Sequence, residues 1–130
     1  MGSSKDLALL DTSILMLIAS RTLHLDTLLE ELVGYRVVVP IQVVEELEKL
    51  SKEVSERGRK ARWVLDNVVP RFEVLSIRSP RARVDEALLE LARSLRAAIV
   101  TADLELARKA RKLGIKTIVF RRARRGLEEI

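Results

Sequence analysis

Short, continuous apolar runs alternate along this chain with segments whose apolar residues recur at helical spacing, and that alternation narrows the folds open to it. Leu7-Ala8-Leu9-Leu10 stops at Asp11, Val37-Val38-Val39 runs into Pro40, and Ala97 to Val100 and Ile115 to Phe120 follow further on. A run that is apolar at every position has no solvent face, so each is expected to be a strand buried on both sides, as in a parallel sheet. From Val84 the apolar residues Ala87, Leu88, Leu91, Ala92 and Leu95 repeat as one helical stripe. Helices are also expected before Gly34 (Leu25, Leu28, Leu29, Leu32), after Pro40 (Val43, Val44, Leu47, Leu50), over Glu56 to Asn67 and over Leu104 to Leu113. Phe72 to Ile77 alternates apolar and polar and belongs nearer a sheet edge. Strands alternating with helices imply right-handed crossovers and helices on both faces. The fold class is therefore α/β, a three-layer α/β/α sandwich with a mainly parallel sheet of about five strands. The 130 residues suffice for one domain, placed at residues 1–120 and followed by a basic tail over 121–130.

Composition removes several chemistries. There is no cysteine, which excludes disulfides, zinc-thiolate sites and a thiol nucleophile, and the single histidine, His24, excludes catalysis by a histidine pair. No apolar run approaches the roughly 20 residues that cross a bilayer, and the first residues lack the apolar stretch of a secretory leader; a cytoplasmic protein without membrane contact is expected. Whatever chemistry exists must use carboxylates and hydroxyls. The net charge of +5 is unevenly spread. Residues 1–50 hold four basic and eight acidic side chains, residues 51–130 twenty and eleven.

In doubly wound sheets ligands bind beyond the carboxyl ends of the strands, where strand order reverses. Asp11 follows the first buried strand and Asp103 follows the Ala97 to Val100 strand; each also suits a helix N-cap. Glu46 shares a helix face with Val43 and Leu50, where an ionised carboxylate must pair or bind a cation. Asp85 stands at the start of the strongest helix, in a row with Leu88, Leu89 and Ala92, while Glu86 faces solvent. All four acids belong at one edge of the sheet and can meet in one cleft. Packed together without compensation they would repel and take up protons, whereas Mg2+ or Mn2+ prefers such oxygen ligands. A carboxylate-held divalent ion can orient and deprotonate water and support in-line displacement at a phosphodiester.

Rival α/β sites lack their residues. A haloacid dehalogenase-type phosphatase needs a second aspartate at Ser13, nucleotide-binding loops need glycine patterns that the five scattered glycines do not supply, and a receiver domain needs an acidic pair that Lys5-Asp6 does not provide.

Leu9-Leu10-Asp11-Thr12-Ser13, Val39-Pro40 leading to Glu45-Glu46-Leu47, Val84-Asp85-Glu86-Ala87-Leu88 and Ile99-Val100-Thr101-Ala102-Asp103 resemble, in order and spacing, the motifs of the PIN domain, over Leu7 to Phe120. The resemblance implies Asp11, Glu46, Asp85 and Asp103 as metal-coordinating catalytic acids, with Glu45 the fallback for Glu46. It implies Thr12, Ser13 and Thr101 as supporting hydroxyls. It further implies metal-dependent hydrolysis of single-stranded RNA, a homodimer, and a role either as a toxin with an antitoxin partner or in ribosomal-RNA processing. The alternative from another class is a non-catalytic RNA-binding module of this fold, held in a ribosome-assembly particle.

With that resemblance, basic clusters are expected as the electrostatic approach to RNA: Arg57, Arg59, Lys60 and Arg62, then Arg78, Arg81 and Arg83, then Arg121, Arg122, Arg124 and Arg125, the last with a solvated or partner-binding tail as the alternative. Aromatic residues are only 3% of the chain, so recognition is expected through phosphate and RNA shape rather than stacking. Trp63 is expected as a partly buried packing residue and His24 at the surface or between helices.

Overall fold

The computed structural model describes residues 5–130; the start of the N-terminal stretch in which no leader is read, residues 1–4, lies outside them. The elements run β1 (Asp6–Leu10), α1 (Thr12–Ala19), α2 (Leu25–Glu31), β2 (Tyr35–Pro40), α3 (Ile41–Ser51), α4 (Glu56–Asn67), β3 (Glu73–Leu75), α5 (Val84–Leu95), β4 (Ala98–Thr101), α6 (Leu104–Lys112), β5 (Thr117–Arg121) and β6 (Gly126–Glu129). The strands form one sheet in the order β3-β2-β1-β4-β5-β6. All neighbours are parallel except β5 and β6. The apolar runs occupy its centre: Ala8, Leu9, Leu10, Val38, Val39, Ile99 and Val100 are buried with at most 2% exposure. β3, from the alternating segment, is one edge strand and β6 the other.

The chain leaves β1 toward β2 and β3, then returns to place β4 on the other side of β1. Right-handed crossovers put α1 to α4 on one face and α5 and α6 on the other. The gap between the carboxyl ends of β1 and β4 is the point where strand order reverses, the position where such sheets bind ligands. The backbone N–H of Asp11 still donates to the Val100 carbonyl at 3.1 Å, so Asp11 is fixed at that gap by the ladder itself.

The helices follow their stripes. α5 buries Ala87, Leu88, Leu91 and Ala92 and ends at Arg96 in the left-handed region. α4 is capped by Ser55, whose hydroxyl accepts the Gly58 N–H at 3.0 Å. Gly58 is needed for close approach: a Cβ there would sit 2.1 Å from the Glu53 carbonyl oxygen in the turn that follows α3. Among the described residues no helix is long and apolar enough to cross a membrane.

Two expectations are corrected. Residues 121–130 are not a tail: β5 runs to Arg121, and after a turn closed by Arg125 at φ 51° the chain returns as the sixth strand. Leu127 there is buried, and its N–H donates at 2.7 Å to the Glu31 carboxylate of α2. Arg121 pairs with Glu128 at 2.9 Å and Lys116 with Glu129 at 3.7 Å across the two strands. Of this segment's arginines, Arg121 is thus held by Glu128 of β6 and Arg124 by Glu31 of α2 at 3.4 Å. Trp63 is 46% exposed, because the inner face of α4 consists of Gly58, Ala61 and Val64 and the indole is rotated away from it.

Candidate functional site

Asp11 occupies the N-cap position of α1 but makes no cap bond. Its Oδ2 instead accepts from Ser13 Oγ at 2.7 Å and from Thr101 Oγ1 at 2.6 Å. The two hydroxyls lie 3.1 Å apart and themselves accept the Ala102 and Asp103 N–H groups at 3.0 and 2.9 Å. This knot ties the end of β1 to the end of β4. With Asp11 only 7% exposed, burial pushes its carboxyl above the ordinary value; the bonds from Thr101 and Ser13 pull it back, and the Asp103 charge adds a smaller upward push.

The other acids are each engaged by the chain. Half-buried Glu46, in the second turn of α3, accepts a hydrogen bond from the Thr12 hydroxyl. Asp85, in the first turn of α5, faces Arg83 at 3.6 Å and Lys109 of α6 at 3.5 Å. Asp103 caps α6, its Oδ1 accepting the Glu105 and Leu106 N–H groups at 2.9 and 3.2 Å. Glu45 is exposed and pairs with Arg78 through both carboxylate oxygens, which holds its carboxyl below the usual range.

All four expected acids, with Thr12 and Ser13, line one cleft of about 970 Å3. Its wall includes six acidic side chains and six basic ones: Lys49, Arg57, Arg78, Arg81, Arg83 and Lys109. The cleft is a zone of compensated charge, not an acidic pit in a basic surface. Repulsion among packed carboxylates is accordingly not its main feature, since burial leads in raising Asp11. Among the described residues no three acids stand close enough to share an ion as the side chains lie. The donor chemistry still suits Mg2+ or Mn2+, because every acid offers oxygen. Gathering them requires turning Glu46 from Thr12 and Asp85 from Lys109, partners that are hydrogen-bonded or ion-paired and not covalently fixed.

Of the basic residues expected at RNA, Arg57, Arg81 and Arg83 reach the cleft, together with Arg78. Arg59, Lys60, Arg62, Arg121 and Arg122 are not in its lining. Lys60 pairs with Glu56 at 3.6 Å, Arg62 donates to the Ser51 carbonyl, and Arg121 is held by Glu128. Lys49, Lys109, Gln42 and Ser79 belong to the cleft and went unnoticed in the sequence. The helical offsets of Gln42 and Lys49 from Glu46 are the signals available for them.

The sequence profile described as "PIN like domain" matches residues 8–123. The chain belongs to the PIN-like domain family. Among solved structures the PIN domain endonuclease Utp24 is similar with a TM-score of 0.70 and 20% identity over 95% of this chain and 90% of that one. A domain of a functionally unknown protein from Methanocaldococcus jannaschii gives 0.64 and 18% over 89% and 91%. A protein from Pyrobaculum aerophilum gives 0.53 and 20% over 83% and 86%. At these identities the likeness is one of fold. No sequence among curated proteins matches significantly. The α/β architecture expected from the apolar runs and the PIN-like fold implied by the motif resemblance are thus the observed ones, with β6 as a sixth strand.

Proposed function

We propose that this PIN-like domain is a metal-dependent endoribonuclease, acting in the cytoplasm on phosphodiester bonds of single-stranded RNA. The observation that carries the reading is that Asp11, Glu46, Asp85 and Asp103, from four separate elements, all line one cleft at the reversal of strand order. The description of the similar Utp24 domain as an endonuclease supports it.

Asp11, Glu46, Asp85 and Asp103 would hold Mg2+ or Mn2+. A bound ion of this kind supplies activation of the attacking water and neutralisation of charge at phosphorus. The chain's own residues prepare for this. Ser13 and Thr101 fix the Asp11 carboxylate at the ends of β1 and β4. Thr12 holds Glu46 toward the cleft. Lys109 and Arg83 compensate the charge of Asp85 at the cleft wall. Arg57, Arg78, Arg81 and Arg83 line the approach of the phosphate backbone.

The engagement of every acid by the chain favours one second reading, an RNA-binding module without turnover that works in an assembly. Incubating labelled single-stranded RNA with the protein and Mg2+ or Mn2+, with EDTA, and with Asp11→Asn separates the two. Endonucleolytic products that vanish in both controls are expected; RNA retained intact under all conditions supports the second reading. Growth arrest on expression, relieved by a neighbouring small protein, would mark the enzyme as a toxin, and cleavage confined to ribosomal-RNA precursors would mark a processing role. A dimeric mass in solution is expected in either role.

A further inference from the structure

The eight residues 76–83 between β3 and α5 contain no helix or strand, yet they bring Arg78, Arg81 and Arg83 to the wall of the cleft. A segment with three like charges and no repetitive backbone bonding needs an anchor, and the anchor is Gln42, the only glutamine of the chain. Its Nε2 donates to the Arg81 carbonyl at 3.0 Å, and its Oε1 accepts the Ser79 N–H at 2.9 Å. Both ends of one side-chain amide are thus spent on the backbone of this loop. Ser79 completes the tie: its hydroxyl donates to the Glu90 carboxylate of α5 and accepts the Arg81 N–H at 3.1 Å.

Gln42 and Ser79 are 8% and 4% exposed, whereas the Arg81 and Arg83 side chains are 61% and 73% exposed. The backbone is pinned inside while the guanidinium groups stay outside. Gln42 also lies one helical turn before Glu46 on α3. The helix that presents a candidate catalytic acid therefore also sets the position of the arginine loop. A phosphate chain gripped by that loop would be held in register with the acids.

We propose that Gln42 is a positioning residue that holds residues 76–83 as a preformed phosphate-binding strap, with Arg81 its leading contact to the RNA backbone. This rests on the RNA reading above and adds to it which wall grips the strand. Preorganisation lowers the ordering cost of binding, so losing the tie weakens retention of RNA rather than the chemical step.

The test is binding of labelled single-stranded RNA in EDTA across a salt series, so that retention is read without cleavage. Each phosphate contact on a single strand contributes about 0.7 to the slope of log K against log salt. Gln42→Met keeps side-chain length and removes both hydrogen bonds; its slope should fall by roughly 0.7, one contact. Ser79→Ala should shift it in the same direction, Arg81→Ala by about 0.7, and Gln42→Met should add little once Arg81 is gone. With Mg2+ or Mn2+ present, Gln42→Met should raise KM about tenfold and leave kcat within about twofold. Unchanged slopes in Gln42→Met and Ser79→Ala, with native circular dichroism, overturn the proposal. So does a kcat that falls at constant KM, or a wild type that retains no RNA. RNA retained with the expected slopes but never cleaved sinks the nuclease reading alone.

Discussion

Replacing Asp103 by serine and by alanine separates two jobs that one carboxylate performs. Its Oδ1 accepts the N–H groups of Glu105 and Leu106 and so satisfies two of the unpaired donors at the start of α6. Serine can accept such a bond and alanine cannot, and removing an N-cap acceptor costs about 1 kcal/mol. Unfolding entropy near 2.1 cal/mol/K per residue over 130 residues gives roughly 0.27 kcal/mol/K, so about 1 kcal/mol lowers Tm by about 4 °C. Thermal unfolding followed by circular dichroism should therefore place Asp103→Ala about 4 °C below wild type and Asp103→Ser within about 2 °C, the residue being the lost charge at the helix dipole. RNA cleavage should fall to background in both variants, because neither keeps the carboxylate. Equal destabilisation of the two refutes the capping argument; metal-dependent cleavage surviving in Asp103→Ser refutes the assignment of Asp103 to the metal.

Three further outcomes follow from the geometry. Gly58→Ala puts a methyl group against the Glu53 carbonyl, a backbone atom that cannot turn aside, so urea denaturation should show a loss of about 1–3 kcal/mol; an unchanged midpoint would mean that α3 and α4 do not approach as described. Burial holds the Asp11 carboxyl above its ordinary value, so the native state keeps a proton that the unfolded chain has released. Stability should be highest, for this group, below the ordinary carboxylate pKa, fall as pH rises through Asp11's raised value, and level off above it. Denaturation midpoints of wild type and Asp11→Asn between about pH 3 and pH 8 should show that decline in the wild type only, and parallel profiles contradict it. Glu45→Gln breaks the exposed pair with Arg78 and should leave cleavage largely intact, whereas Glu46→Gln should abolish it; the reverse ranking would exchange the roles of the two neighbours.

How far the sequence reveals this protein depends on the range of the interactions concerned. β1, β2, β4 and β5 are legible because a strand buried on both faces must be apolar at successive positions, and α5 because its stripe is regular over three turns. β6 escapes notice because its neighbours are arginines and because, beside its ladder with β5, it is tied by Glu31, which lies 96 residues from the N–H it accepts. The convergence of the four acids follows from strand ends and helix starts, which local pattern locates. Their partners do not: Thr12 meets Glu46 across 34 residues, and Lys109 reaches Asp85 from another helix. Gln42 reads locally as one polar residue in an amphipathic helix; only the packed structure brings residues 79 and 81 to both ends of its amide. Trp63 illustrates the opposite error, since a large aromatic invites burial while the helix phase turns it outward.

The central claim is that the acids of this cleft bind a divalent ion on which RNA cleavage depends. Calorimetric titration of the purified protein with Mn2+, run beside Asp11→Asn, Glu46→Gln and Asp85→Asn and paired with cleavage rates at each Mn2+ concentration, tests it most directly. Saturable binding in the wild type that tracks the rate of cleavage, with both lost or shifted to far higher Mn2+ in each variant, is the expected result. Binding and cleavage that persist in all three variants would contradict the account.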